Sequence, residues 1–289
     1  MALNISTFQT RLVTSVVFTA VMIFGVVTSN FTFFVLFSVI HFGCWFEFQR
    51  IIAKIDPEYS GITAFHKYGI MLAGWCCLLY FTNNTFRFGD FVFHAVGWWL
   101  GLLFAFLLPI TELLFANTIS LKNIAYSMVG LIYISLSCGL MIDLLIFPSL
   151  PFQSVPLFPV VLIACMWIND TMAYLVGSMI GKTPLSSISP KKTWEGTIGG
   201  IILSVTAVTI TSYYVVVLQD FSWIHWLMIS LIASITGTFG DLAESRLKRM
   251  AGIKDSGRIM PGHGGFLDRF DSLLVATPFV WGYIEIFMR

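Results

Sequence analysis

The sequence predicts an all-α integral membrane protein: a polytopic bundle of about nine transmembrane helices, N-terminus in the cytoplasm. Three observations predict it. The 289 residues are 57% hydrophobic and only 11% charged, with mean hydropathy +0.86, where soluble domains run at roughly 45–50% apolar and about 25% charged. The apolar residues gather in repeated runs of about 20, the length a helix needs to cross the hydrocarbon of a bilayer. Finally, 14 of the 16 Lys and Arg residues fall in alternate connections, on what is then the cytoplasmic side.

Taken in order, the spans are 10–29, 30–51, 66–83, 92–115, 123–147, 154–179, 195–218, 223–243 and 271–288. Arg11 precedes the apolar stretch of the first, as in a signal peptide, but no small-residue cleavage site follows, so a retained helix is expected. Pro148, Pro151 and Pro156 mark the turn between the fifth and sixth. The inside set of basic residues is Arg11, then Arg50, Lys54 and Lys67, then Lys122, then Lys182, Lys191 and Lys192, then the six between residues 245 and 272. The outside set is Arg87 and Arg289. The basic residues form no long tail and the net charge is +1, so nothing points to nucleic acid.

Cys44, Cys76, Cys77, Cys138 and Cys165 lie in apolar runs without metal-ligand spacing and read as small packing residues. His41, His66, His94 and His225 are isolated and read as packing or helix-end residues. Three Gly-x-x-x-Gly pairs, at 97/101, 177/181 and 196/200, permit close helix approach. Carboxylates are costly in lipid. Glu47 and Glu112 read as snorkelling helix ends or helix–helix polar pairs, and Asp143 as reaching water near the outer end of its span. Asp170 stands out: with Asn169, Thr171 and Tyr174 it gives the sixth span a polar face, as expected beside a wet cavity.

The densest chemistry lies in Ser245–Ser272, SRLKRMAGIKDSGRIMPGHGGFLDRFDS, which holds six of the 16 basic residues together with Asp255, Asp268 and Asp271. A helix starting near Asp268 would put Asp268 and Asp271 on one face, able to share a divalent metal. Lys254 and Arg269 suit phosphate oxygens, one as a point charge and one through its planar fork. Glycines 262, 264 and 265 allow positive φ and close approach of backbone N–H groups to an anion. The competing reading is a basic juxtamembrane loop that sets topology and touches anionic lipid. A second constellation is Ser186–Gly200. Ser189-Pro190-Lys191-Lys192-Thr193 opens the seventh span, with proline in the first turn, Ser and Thr as caps and Glu195 suiting the helix dipole. Two lysines at a helix N-terminus suit a phosphate, and an ordinary capped helix with a topogenic Lys pair is the alternative.

Together these runs resemble the CDP-diacylglycerol synthase (phosphatidate cytidylyltransferase) family. The matching residues are Ser245, Lys248-Arg249, Lys254-Asp255, Pro261, His263-Gly264-Gly265 and Asp268-Arg269-Phe270-Asp271; Met260 stands where the family usually has Leu, Ile or Phe. Asn169-Asp170-Thr171-Met172-Ala173-Tyr174, Ser189 through Gly196, and Gly240-Asp241-Leu242-Ala243-Glu244-Ser245 match further runs. The resemblance covers roughly 165–275, while residues 1–150 match only in hydropathy and span count.

The resemblance implies transfer of a cytidylyl group from CTP to phosphatidate, giving CDP-diacylglycerol and pyrophosphate. It implies Mg²⁺ held by Asp241, Asp268 and Asp271, with Ser245 as an added ligand and a second cation such as K⁺ compatible with the set. Asp241, Asp268, Asp271, Lys254 and Arg269 would be catalytic. Ser189, Lys191, Lys192, Asp170, His263, Gly264 and Gly265 would bind substrate. It implies a homodimer, residues 1–150 as five scaffold and dimerisation spans, and 151–289 as a catalytic region of four spans plus the loop 244–272. With no large soluble extension, a bacterial inner membrane is expected, the site facing the cytoplasm and the membrane lipids. A CTP-dependent transferase or kinase for a polyprenol or ether lipid, an ion-coupled transporter and a structural scaffold are the rival readings.

Overall fold

The computed structural model describes residues 5–83, 85–116, 119–146, 156–257 and 264–289. Nearly all of them are helical: α1 (Ile5–Val27), α2 (Asn30–Ile55), α3 (Ala64–Tyr80), α4 (Phe93–Phe115) and α5 (Leu121–Gly130), which passes through a π-helical segment, Leu131–Leu136, into α6 (Ser137–Ile146). Then come α7 (Leu157–Ile180), α8 (Trp194–Tyr214), α9 (Trp223–Met250) and α10 (Leu267–Phe287). Among the described residues the only strands are β1 (Arg87–Phe88) and β2 (Phe91–Val92), a short antiparallel hairpin. Among the described residues seven helices, with Leu121–Ile146 counted as one, are long and apolar enough to cross a membrane. The 17-residue α3 and the apolar α1 complete the expected set. Of the prolines expected to mark the turn before α7, Pro148 and Pro151 lie outside the described residues, and Pro156 immediately precedes the helix. The fold is an all-α polytopic membrane protein. Lipid explains why α4 can expose Phe106, Leu113 and Leu114 on its surface.

The chain forms two compact units, Met1–Ile146 with Met250–Arg269, and Phe147–Arg249 with Phe270–Arg289. In the first, α2 begins at a capping box, Ser29 accepting from the Thr32 amide while Thr32 accepts from the Ser29 amide. Its residues Phe33, Phe37, Ile40, Cys44, Trp45, Phe48 and Ile51 are buried at three- and four-residue spacing, so this helix is the centre of its unit. Gly130 lies against the Trp45 ring, where a Cβ would come within 2.5 Å of it. The Trp45 indole donates to Ser135 Oγ at 2.9 Å, which satisfies its one polar atom.

In the second unit α7 and α8 pack along small residues. A Cβ on Gly196 would sit 2.7 Å from the Ala173 carbonyl, and one on Gly200 2.8 Å from that of Asn169. The glycine pair at 196/200 therefore serves a contact within the chain. None of the five cysteines forms a disulfide and four are buried, as packing residues should be.

Three local expectations are corrected. α9 does not stop at residue 243 but runs to Met250, because Lys248 pairs with Glu244 one turn back and the helix leaves the apolar run with its charges matched. Asp143 does not reach water: it is 4% exposed and accepts from Asn83 Nδ2 at 3.0 Å. Pro190 does not sit in the first turn of a helix. Ser189–Lys192 is a turn closed by the Lys192 amide on the Ser189 carbonyl, and α8 starts later, capped by Thr193 Oγ1, which accepts from the Gly196 amide at 3.2 Å.

Candidate active site

The second unit gathers the acidic residues. Asp241 and Glu244 are three apart on α9, so they share a helix face. Gly240 has no side chain where α10 passes: a Cβ there would meet the Asp271 carbonyl at 2.6 Å. The close approach brings Asp271 to the same place, and ligand oxygens of Asp241, Glu244 and Asp271 all lie within 4.8 Å of one another. Glu244 and Asp271 are buried and Asp241 is half-buried. Ser245 Oγ donates to Asp241 Oδ1 at 3.3 Å. Three close carboxylates repel one another and require cations. Lys192 pairs with Asp241 and Lys248 with Glu244. An all-oxygen donor set of this kind fits a hard divalent cation such as Mg²⁺.

Beside the cluster is a cleft of about 420 Å³, lined on α7 by Asn169, Asp170 and Tyr174 and on the other side by Lys191, Lys192 and Asp241. The polar face read on the sixth span thus lines a cavity, except that Thr171 turns its hydroxyl back to the Trp167 carbonyl at 2.7 Å. Asn169 Oδ1 is buried and meets no hydrogen-bond donor among the described residues, an acceptor for a ligand in the cleft. The two lysines arrive on a loop held at both ends. The Leu185 amide donates to the Lys192 carbonyl at 2.7 Å and the Trp194 amide to that of Thr183 at 2.9 Å. Glu195 accepts from the Lys182 and Thr183 amides at 3.1 and 3.2 Å, and from the Thr183 hydroxyl at 2.8 Å. Burial pushes the Lys192 ammonium below the ordinary lysine value of 10.5, against the pull of Asp170 and Asp271 and helped by Lys248. Ser189 is half-buried in this loop, its carbonyl closing the turn.

The first unit holds the glycine turn. Gly264 has φ +85°, and the Gly265 amide donates to Asp268 Oδ2 at 2.8 Å. The turn meets an anion, as its glycines suggested, and that anion is the chain's own carboxylate. Asp268 Oδ2 also accepts from the Ser256 amide at 2.8 Å and lies 2.9 Å from Ser256 Oγ. Lys254 and Arg269 are exposed, and His263 lies outside the described residues.

Sequence reasoning missed two residues here. Glu244, three residues after Asp241, joins the cluster, and that spacing was a usable signal. Glu47 gave none. Its carboxylate, 3% exposed, accepts from Ser256 Oγ at 2.6 Å and from the Leu267 amide at 2.9 Å, across 209 and 220 residues of chain. Gly257 and Gly265 both pack directly on that carboxylate, leaving no room for a Cβ. The Arg50 guanidinium holds the Ser256 carbonyl.

A model of the cytidylyltransferase family matches residues 9–287, nearly the whole chain. The chain belongs to the cytidylyltransferase family. Its members among characterised proteins include the phosphatidate cytidylyltransferase of Bacillus subtilis (strain 168), 32% identical over 283 residues, 96% of this chain and 97% of that protein. The enzyme of the same name from Staphylococcus aureus (strain COL) is 49% identical over 116 residues, 39% of this chain and 43% of that one. That from Synechocystis is 40% identical over 129 residues, 43% and 42% of the two chains. This cytidylyltransferase is therefore an enzyme, a nucleotidyltransferase embedded in a membrane.

Proposed function

We propose that this cytidylyltransferase transfers the cytidylyl group of CTP to phosphatidate, giving CDP-diacylglycerol and pyrophosphate. The observation that carries the reading is the Asp241–Glu244–Asp271 cluster, with Lys192 bound to it, beside a cleft lined by Asn169, Asp170 and Lys191. The names of the relatives supply the lipid.

The chemistry suits these residues. The nucleophile is a phosphate oxygen of the lipid, ionised near neutral pH, so no strong general base is required. It forms a bond to the α-phosphorus of CTP as the bond from that phosphorus to the α–β bridging oxygen breaks, and pyrophosphate leaves with the electron pair. The obstacle is bringing two anions together. Lys191 and Lys192 reduce that repulsion in the cleft, Lys254 and Arg269 are the phosphate-neutralising groups of the first unit, and Asn169 Oδ1 accepts from the bound nucleotide. Asp241, Glu244 and Asp271, with Ser245 alongside, would hold Mg²⁺; a bound Mg²⁺ offsets the charge on the phosphates and on the departing pyrophosphate. Asp268 orders the turn at Gly264 and Gly265, and the family resemblance gives these glycines and His263 a part in substrate binding. The count of basic residues favours a cytoplasmic site, where CTP is made, in a bacterial inner membrane. A homodimer and a second cation such as K⁺ remain part of this proposal.

Asp241→Asn tests the cluster. The variant should insert and elute as wild type does but lose at least about a hundredfold in kcat, the order expected for removing one electrostatic stabiliser of a transition state. A kcat within threefold of wild type would remove the cluster from the reaction.

A further inference from the structure

A cavity of about 500 Å³ lies within the first unit, between α3, α4, α5 and the π-helical segment. Its walls are mostly apolar, with Ile70, Ala73, Phe104, Leu108 and Met128 among them. Of the helices around it, α4 and the Leu121–Ile146 run are long and apolar enough to span a membrane, and α3 and α4 expose Phe65, Leu103, Phe106 and Leu113, so hydrocarbon is the medium from which it fills. Two breaks in helical regularity face it. Pro109, inside α4, has no N–H to give the Ala105 carbonyl, and both residues line the cavity. Leu131 and Ser135 of the π-helical segment line it as well, and such segments concentrate at functional sites.

Three polar side chains meet in its wall. His66 Nδ1 lies 3.2 Å from Glu112 Oε2, and His66 Nε2 lies 2.8 Å from Ser127 Oγ, which is 3.1 Å from the Tyr59 hydroxyl. With a neutral imidazole the protons run one way. Tyr59 donates to Ser127 and Ser127 to His66, whose Nδ1 faces Glu112 without a well-formed hydrogen bond to it. What the cavity receives at the end of the chain is the acceptor capacity of a carboxylate. An ionisable group kept inside a membrane at this cost marks a site more often than an accident of packing. The spacing is that of an acyl-transfer triad, but Ser127 sits inside α5, whose backbone N–H groups are engaged in the helix, so no oxyanion-binding pair faces it. The arrangement is built to bind.

We propose that this cavity binds a neutral membrane lipid bearing a hydroxyl, which donates to Glu112 while one hydrocarbon chain lies along α3 and α4. The charge of the wall selects the class. Among the described residues no Lys or Arg lines it, and a carboxylate opposes a phosphate headgroup, so an anionic lipid is refused. The inference rests on the membrane fold and needs no part of the proposed reaction.

The test measures binding of radiolabelled dioleoylglycerol to the purified full-length protein in detergent, with dioleoylphosphatidate, which has the same chains, as competitor. The expected result is one saturable site per chain that phosphatidate does not compete for. Ala105→Phe, which fills the cavity, should abolish binding yet leave cytidylyl transfer within twofold; Ala73→Phe does the same from α3 should the first variant fold poorly. Glu112→Gln keeps the shape but exchanges a charged acceptor for a neutral one, and should weaken binding about tenfold. No saturable site, binding unaltered in the filled and Gln variants, or equal competition by phosphatidate would each overturn the proposal. Conversion of a dimer to a monomer by the filled cavity, with no lipid bound in wild type, would assign the cavity to a second copy instead.

Discussion

Glu47 offers the sharpest perturbation, because its carboxylate is the fixed point on which both ends of the glycine-rich connection between α9 and α10 rest. It receives the Ser256 hydroxyl at 2.6 Å and the Leu267 amide at 2.9 Å, the second at the first residue of α10. Hydrogen bonds to a charged acceptor contribute about 1.5–3 kcal/mol each, and neutral ones about 0.5–1.5. Glu47→Gln keeps volume and shape but removes the charge, so the pair should weaken by about 1–3 kcal/mol in sum. Opening of the connection then becomes roughly 5- to 150-fold more frequent, while the global fold, with stability of about 5–15 kcal/mol, survives. Glu47→Ala also leaves the buried Leu267 amide without an acceptor, while the Ser256 hydroxyl can turn to Asp268 Oδ2 at 2.9 Å, and should cost more, about 3–5 kcal/mol.

Hydrogen exchange reads this directly. The Leu267 amide, bonded to Glu47, and the Ser256 and Gly265 amides, bonded to Asp268, should lose protection together in the Gln variant. Amides in the middle of α2 and α7 should be unchanged. Turnover should fall in kcat as the connection opens, and Glu47→Asp, which keeps the charge on a shorter arm, should recover part of it. Unchanged protection at Leu267 and Ser256 in the Gln and Ala variants would refute the reasoning, because the contacts would then carry no free energy.

Other consequences are narrower. Burial holds the Lys192 ammonium below 10.5, so it loses its proton earlier than an exposed lysine as pH rises. The alkaline limb of kcat/KM should therefore lie below that value and move upward in Lys192→Arg; a limb that stays in place would separate Lys192 from the phosphates. Gly200→Val places a side chain where a Cβ already stands 2.8 Å from the Asn169 carbonyl, and should separate α7 from α8 and lower the thermal midpoint. An unshifted midpoint would contradict close packing of α8 on α7 at this glycine. Thr193→Ala removes the cap of α8 and should cost about 1 kcal/mol of helix stability, read as a higher KM for CTP with kcat largely retained. A fall in kcat alone would give Thr193 a different role.

What the sequence disclosed and what it concealed divide along physical lines. The spans were legible because hydrocarbon imposes length and composition on each helix separately, so Leu157–Ile180 and Trp194–Tyr214 stand out without any knowledge of neighbours. The polar face at Asn169 and Asp170 was legible because several polar residues together on one span mark a cavity, whereas the lone carboxylate Asp143 proved buried on Asn83. The end of α9 was not, since the Glu244–Lys248 pair lets a helix continue where hydropathy stops. Contacts between distant segments left no local trace. Glu47 reads as a helix-end carboxylate until Ser256 and Leu267 fold onto it. His66, Glu112 and Ser127 come from three helices and share no spacing that would unite them. Asp268 was legible as a carboxylate close to a glycine turn, but its hold on the amides of Ser256 and Gly265 was not.

The most direct test of the central claim is turnover by the purified protein in detergent micelles containing phosphatidate, with pyrophosphate release and lipid product followed together. With CTP and Mg²⁺ the account predicts stoichiometric pyrophosphate and CDP-diacylglycerol, abolished by EDTA, restored by added Mg²⁺, and absent with ATP or GTP. Folded protein that makes no cytidylylated lipid from phosphatidate, or makes it equally well in EDTA, would contradict it.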